Sequence, residues 1–190
     1  EILIGLVGSE MCIRDSPKTL VTPSGFLKSR FLDDKASAAC LLTVLKILRD
    51  LGQLPRYDAE ITFTVYEEVG HGGATFSESL DELLAVDMGC IGAELTCTEE
   101  QVSICAKDSA GPYDYAMVTR LVELSRANGV DYAVDVYPHY SSDAAVAWKS
   151  GRDLPAALIG PGVHASHGME RTHWHGLKAT MELVGLYLDC

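Results

Sequence analysis

Acidic residues stand at the ends of several predicted elements in this sequence. Glu67-Glu68 and Asp87 each follow directly on a predicted strand, and Asp33-Asp34 introduces a predicted helix. Singly, each has an ordinary explanation as a helix cap or a solvated surface charge. If the fold brings them together, the carboxylates repel one another and raise each other's pKa unless a cation neutralises them. The set therefore predicts a metal site.

Histidines are concentrated near the carboxyl end of the chain. Four of the six lie between positions 164 and 175, in and just after a loop rich in glycine. A carboxylate-rich site needs a neutral nitrogen ligand if it is to hold zinc, and imidazole supplies one. This loop is the predicted source of that ligand.

The elements that must position these residues alternate between helix and strand. Helical spacing is predicted from Asp33 to Leu51 and over residues 74–84, 113–127, 143–149 and 172–188. Strands are predicted over residues 59–66, 83–86, 102–106, 132–137 and 156–159. This order predicts an α/β fold, a three-layer sandwich with a mixed, mainly parallel central sheet and helices on both faces. Ligands bind at the carboxyl ends of the strands in such sheets.

Composition limits the classes of partner. The chain has 190 residues, 47% of them hydrophobic, and a formal net charge of -12. So much negative charge argues against nucleic acid and against anionic membranes, which leaves a small molecule or a peptide as the expected partner. The opening residues lack the features of a secretion signal, so the expected location is cytoplasmic. The cysteines within apolar segments are expected to be buried free thiols.

Several motifs, taken in order, resemble the TET or glutamyl-aminopeptidase-like family of metallopeptidases with two metal ions. They are Leu32-Asp33-Asp34-Lys35, Thr64-Val65-Tyr66-Glu67-Glu68-Val69-Gly70, Val86-Asp87, Ser142-Asp143-Ala144 and Ser166-His167-Gly168-Met169-Glu170-Arg171-Thr172-His173. Their order and spacing match over nearly all of the chain from Thr22 onward. The resemblance implies the zinc-exopeptidase-like form of the α/β fold, truncated at the N-terminus.

The resemblance also implies a set of metal ligands. Asp33 bridges two metal ions, Glu68 binds one, Asp87 binds the other, and His167 completes the second site. The ions are zinc or cobalt, with manganese as a further choice, because carboxylate and imidazole suit all three. A one-residue gap in the loop changes the match, so His173 and then His164 remain alternatives to His167.

Glu67 and Asp34 receive supporting roles from the same resemblance. Glu67 is the general base that takes a proton from the metal-bridging water and later delivers it to the leaving amine. Asp34 lies behind the ligands without binding an ion. The Asp33-Asp34 peptide bond is predicted to be cis, as is typical of this clan.

Other residues are candidates for contacting the substrate. Ser142 and Asp143 lie near the substrate's amino terminus in the family, although an ordinary helix start explains them equally well. Asp108 and Tyr113 fall in a loop expected beside the cleft. His71 follows the Glu-Glu motif and could line the pocket or be solvated.

The implied function is a metalloaminopeptidase that hydrolyses N-terminal residues from peptides, in dimers that assemble into a cage. The alternatives are an acylase or carboxypeptidase of the same clan, an inactive fragment, or a non-enzymatic relative. The family's first metal-binding histidine and its inserted domain lie upstream of the matching motifs. One metal ligand is therefore expected to be missing.

Residues 1–16 are interpreted separately from the rest. The string Leu6-Val7-Gly8-Ser9-Glu10-Met11-Cys12-Ile13-Arg14-Asp15 resembles the translation of a common sequencing adapter. Residues 1–16 are therefore expected to be non-native, and residues 17–190 to be the C-terminal part of the catalytic domain.

Overall fold

A mixed β-sheet between helices forms the centre of the computed structural model, which describes residues 16–189. The predicted non-native segment, residues 1–16, lies outside the described residues except for Ser16. The strands are β1 (Leu20–Val21), β2 (Phe26–Ser29), β3 (Leu83–Val86), β4 (Gly89–Cys90), β5 (Val102–Lys107), β6 (Tyr132–Val136), β7 (Ala156–Val163) and β8 (Glu170–His173). The helices are α1 (Leu32–Leu51), α2 (Tyr115–Asn128), α3 (Asp143–Lys149) and α4 (Trp174–Tyr187), with 3₁₀ turns at Glu67–Val69 and Gly72–Ala74.

The main sheet has the strand order β3-β7-β5-β6, and β4 pairs with the far end of β7. Pairing is parallel between β3 and β7, between β4 and β7 and between β5 and β6, whereas β5 and β7 are antiparallel. A smaller antiparallel sheet joins β1, β2 and β8. The predicted α/β fold with a mixed, mainly parallel sheet is confirmed.

Helices cover both faces of this sheet. Ile104 and Ile159 pack in one buried cluster with side chains from α1, α2 and α4. The next residues along the same strands, Cys105 and Leu158, belong to a second cluster that includes Ala144 of α3. Because successive side chains of a strand point to opposite faces, the two clusters lie on opposite sides of the sheet.

Helix α1 carries the Asp-Asp motif at its first turn. Val44 and Leu48 are buried in the cluster that packs on the sheet, whereas Leu45 is 41% exposed. The helix ends at Gly52, whose φ of 66° is a left-handed conformation that glycine adopts without steric cost.

The predicted strand over residues 59–66 is wrong, because this segment is irregular. Its alternating pattern is typical of a strand, but within residues 16–189 no strand pairs with it. A cavity of about 1490 Å³ separates it from β3 and is lined by Ile61, Phe63, Leu84 and Val86, among others. Alternation of apolar and polar residues indicates which side chains would share a face of a strand. A strand also needs a neighbouring strand to complete its backbone hydrogen bonds.

Two predicted helices also differ from the structure. The helix over residues 74–84 is wrong: only the 3₁₀ turn Gly72–Ala74 is helical there, and the loop beyond it is held by Arg152, which donates to the carbonyl oxygens of Phe76 and Ser77. The last helix begins at Trp174 rather than Thr172, because β8 extends to His173.

No helix within the described part of the chain has the length and apolar character required to cross a membrane.

Candidate metal centre

Asp33 lies at the irregular start of α1. It is joined to Asp34 by a cis peptide bond, which confirms the prediction, and both residues have non-helical backbone angles. The Asp33 carboxylate oxygen Oδ2 accepts a hydrogen bond from Ser166 Oγ at 2.7 Å. Ser166 belongs to the histidine loop, so this bond brings the beginning and the end of the described chain together.

Glu68 and His167 meet Asp33 on one side. His167 Nε2 lies 3.1 Å from Glu68 Oε2 and 3.3 Å from Asp33 Oδ2. One ligand atom from each of the three residues lies within 4.8 Å of the other two, which is close enough for a single ion to contact all three. The geometry groups His167 with Glu68 rather than with Asp87.

Asp34 and Asp87 meet Asp33 on the other side, with oxygen atoms also within 4.8 Å of one another. Asp87 directly follows β3, and its N–H donates to Ile159 on the neighbouring strand at 2.9 Å. Gly160 permits this close approach, because a Cβ there would lie 1.4 Å from the Asp87 carbonyl oxygen. The Asp34 oxygen Oδ1 is buried without a hydrogen-bond partner. A cation or a proton bound there would satisfy it.

We define the acidic cluster as Asp33, Asp34, Glu67, Glu68 and Asp87. Burial and neighbouring charges raise the pKa of the last four. Burial, followed by the charge of Asp87, raises the pKa of Asp34 well above its usual range. Burial and the charge of Asp33 raise the pKa of Asp87 well above its usual range, and the same two causes raise that of Glu68. Carboxylates crowded in this way are stabilised by protons or by positive ions. Both ligand groups contain Asp33.

Glu67 belongs to the cluster but to neither ligand group. Burial, followed by the charges of Asp143 and Glu68, raises its pKa to about 7. A carboxyl group with a pKa near neutrality is suited to proton transfer. Asp143 begins α3, and its oxygen Oδ1 is buried without a hydrogen-bond partner.

Three residues predicted as substrate contacts form a buried network. Tyr113 donates its hydroxyl hydrogen to Asp108 Oδ2 at 2.7 Å, and its oxygen lies 2.9 Å from Ser142 Oγ. Ser142 accepts the N–H of Ala144 and so caps α3. The exposed fraction is 5% or less for each of Asp108, Tyr113 and Ser142. The network accounts for all three without a substrate, and it fixes the start of the helix that carries Asp143.

His173, His164 and His71 belong to neither ligand group that contains Asp33. His173 is buried, its Nδ1 accepts the N–H of His175, and its Nε2 lies 2.8 Å from the Ser24 carbonyl oxygen. Both ring nitrogens are therefore occupied, although His173 lies close to His175 and Glu100 in a third group of possible ligands. His164 is exposed and pairs through its backbone with Arg171. His71 is exposed and stacks on Tyr66.

The sequence interpretation missed the role of Glu170. This residue is 1% exposed and accepts the backbone N–H groups of Asp33 and His167. The neighbouring Arg171 does not pair with it, because the Arg171 side chain donates to Glu99. The position of Glu170 three residues after His167 is the one local signal that links it to the site.

Comparisons with known proteins place these motifs in one family. A model of the M42 glutamyl aminopeptidase family matches residues 6–183. A relative described as the putative aminopeptidase YhfE of Bacillus subtilis (strain 168) is 44% identical over 180 residues, which cover 91% of this chain and 50% of that protein.

Solved structures share the fold. A TET aminopeptidase from the Thaumarchaeota archaeon SCGC AB-539-E09 matches with a TM-score of 0.81 and 16% identity, over 87% of this chain and 50% of that one. The Pyrococcus horikoshii TET1 peptidase matches with a TM-score of 0.74 and 19% identity, over 90% of this chain and 53% of that one. The chain thus spans about half the length of each of these relatives. The family match over most of the sequence and the identity to the Bacillus protein lead to one conclusion: this chain belongs to the M42 glutamyl aminopeptidase family.

Proposed function

We propose that this chain is part of a metal-dependent aminopeptidase whose acidic cluster holds two divalent ions that share Asp33. The observation that carries the proposal is the presence of Asp33 in both groups of ligand atoms. One ion would be held by Asp33, Glu68 and His167, and the other by Asp33 and Asp87. Asp34 supports the second group from a buried position.

The donor set fits zinc, cobalt or manganese, because it consists of carboxylate oxygens and one imidazole nitrogen. Two such ions, when bound, polarise a peptide carbonyl and make a water molecule more acidic. The ions also supply the positive charge that the unpartnered Asp34 oxygen and the raised pKa values of the cluster call for.

Glu67 is the proposed general base. It takes a proton from the attacking water on one carboxylate oxygen and gives it to the leaving amine. Its pKa of about 7 belongs to the ion-free cluster, and cations nearby lower that value, so the carboxylate accepts a proton from water at neutral pH. Because Glu67 is in neither ligand group, it can act as a base without leaving an ion.

Asp143 is the proposed contact for the substrate's amino group. Its charge raises the pKa of Glu67, so the two carboxyl groups are close neighbours, and its Oδ1 lacks a partner. A protonated amine there would pair with Asp143 and hold the N-terminal residue beside Glu67. This geometry favours free N-termini over blocked ones, because a blocked amine carries no charge.

Assembly into a homo-oligomer is part of the same proposal. It is supported by two solved structures of similar fold. The Pyrococcus horikoshii TET1 peptidase is described as assembling into a tetrahedron or a large octahedral shell, and PhTET1-12s is described as a dodecamer in the asymmetric unit. Size-exclusion chromatography with light scattering would measure the assembly directly, and a monomer at all concentrations would contradict it.

The test of activity uses the whole protein that the source gene encodes. Metal would be removed with a chelator and restored, and hydrolysis of unblocked and N-blocked peptides compared in wild type, Glu67→Gln and Glu78→Gln. Glu78 is an exposed glutamate outside the acidic cluster and serves as the control. We expect metal-dependent cleavage of unblocked peptides only, lost in Glu67→Gln and kept in Glu78→Gln. Cleavage of N-blocked peptides would assign the protein to the acylase branch, and cleavage that needs no metal would contradict the proposal.

A further inference from the structure

Glu170 joins the backbones of two proposed ligands that lie at opposite ends of the described chain. Its Oε2 accepts the N–H of Asp33 at 3.0 Å, and its Oε1 accepts the N–H of His167 at 2.9 Å. The residue is 1% exposed. Each carboxylate oxygen thus has one amide donor, and each donor belongs to a different proposed ligand.

We propose that Glu170 is a positioning residue that sets the separation of Asp33 and His167 for ion binding. The inference rests on the proposed metal site. Hydrogen bonds from amides to an ionised carboxylate are shorter and stronger than neutral ones. A buried carboxylate without such donors would be strongly disfavoured, so Glu170 holds both amides against it. Movement of either backbone would break one of the two bonds.

Glu170 does not act as a ligand itself. Both of its oxygens already accept N–H groups, and the residue is 1% exposed, whereas the His167 side chain is 61% exposed. The groups of ligand atoms around Asp33 include Glu68, His167, Asp34 and Asp87 but not Glu170. Its contribution passes through the ligand backbones.

His167 needs such support because of its own backbone. Its φ of 65° is in the left-handed region, which is unfavourable for a residue with a Cβ. The N–H bond to Glu170 holds the loop in this conformation and directs the imidazole toward Asp33 and Glu68. Without it, the loop could relax to a more common conformation and withdraw the ring.

Glu170 is well placed to act as a fixed reference. It opens β8, where it pairs with Ser29 of β2. Two residues further on, Thr172 is fully buried and donates to the Gly162 carbonyl oxygen of β7 at 2.7 Å. The carboxylate therefore stands on a strand that both sheets hold in place, which is the kind of support that precise ligand geometry requires.

The test measures cobalt binding by the whole protein that the source gene encodes, from the visible absorption of the bound Co²⁺ in competition with a chelator. Glu170→Gln presents an amide NH2 to one of the two N–H donors and so loses one bond. We expect Co²⁺ to bind about 10–100-fold more weakly, with a changed absorption spectrum. Asp135→Asn is the matched control, because Asp135 is also a buried carboxylate and accepts the N–H groups of Thr96 and Cys97. It should lose thermal stability and keep its cobalt affinity and spectrum.

The outcomes distinguish failure of the positioning role alone from failure of the metal site. If wild type binds cobalt and Glu170→Gln binds it equally well with the same spectrum, the positioning role is refuted and the metal site stands. If wild type binds no cobalt, both fail. Should Glu170→Gln not fold, amide hydrogen exchange in wild type decides: the N–H groups of Asp33 and His167 are expected to be as protected as those of β8, and exchange at the rate of a free loop would overturn the inference.

Discussion

Replacing Asp87 with asparagine should stabilise the ion-free chain at alkaline pH, because it removes one charge from the acidic cluster. Oxygens of Asp33, Asp34 and Asp87 lie within 4.8 Å of one another. Two unit charges at that separation repel by about 3.5 kcal/mol when the effective dielectric constant is near 20. The raised pKa values of Asp34 and Asp87 let the cluster avoid part of this repulsion by binding protons. We therefore expect a gain of about 1–3 kcal/mol in the free energy of unfolding near pH 8.

Asparagine preserves the local contacts of Asp87. Its side-chain oxygen can accept the N–H of Met88, as Asp87 Oδ1 does at 2.6 Å, and its NH2 can donate to the unpartnered oxygen of Asp34. The assay is urea unfolding with chelator present, near pH 8 and near pH 5. Carboxyl groups with a raised pKa take up protons as the pH falls, so the gain should be smaller near pH 5 than near pH 8.

Asp108→Asn is the matched control for this prediction. Asp108 is also buried, but its oxygens accept from Ala110 N–H and Tyr113 hydroxyl, so its negative charge is satisfied. The control should lose stability at both pH values. The reasoning would be refuted if Asp87→Asn gave no gain near pH 8, or the same gain near pH 5.

Three further predictions concern single residues. In chelator, the midpoint temperature of wild-type unfolding should fall as pH rises from about 4.5 to about 7, because folded Glu67 keeps a proton that the unfolded chain has released. Calorimetry over this pH range should show a smaller fall for Glu67→Gln. An unchanged pH dependence in the variant would contradict the raised pKa of Glu67. His167→Ala should weaken Co²⁺ binding about tenfold or more. It should cost little stability, because the His167 side chain is 61% exposed. His173→Ala should lower the midpoint temperature of unfolding and leave Co²⁺ binding intact, and titration calorimetry would show the reverse if the ligand were His173. Tyr113→Phe breaks two buried hydrogen bonds and should cost about 1–3 kcal/mol in urea unfolding, while lost cobalt affinity at unchanged stability would place its hydroxyl in the site.

The sequence predicted Asp33, Asp34 and Asp87 of the site because their positions follow from local patterns. The apolar run over residues 83–86 forms β3, and Asp87 follows it as predicted. The Asp33-Asp34 motif lies at the start of α1 because the apolar spacing of that helix begins just after it. When strands and helices are correctly located, the rule that ligands gather at strand ends brings these residues together.

The sequence could not predict contacts that depend on distant partners. Residues 59–66 alternate as a strand does, yet the pattern does not reveal whether a neighbouring strand is available. In the sequence, Glu170 does not differ from an ordinary surface glutamate. Only the folded chain shows that its two carboxylate oxygens accept the N–H groups of Asp33 and His167. The division between residues 1–16 and 17–190 stays a prediction.

Anomalous scattering from a zinc-soaked crystal is the most direct test of the two-ion site. We predict two peaks that share Asp33, one beside Glu68 and His167 and one beside Asp87. Absence of density at Asp33, with zinc found only beside His175 and Glu100, would contradict the assignment of the acidic cluster as the metal centre.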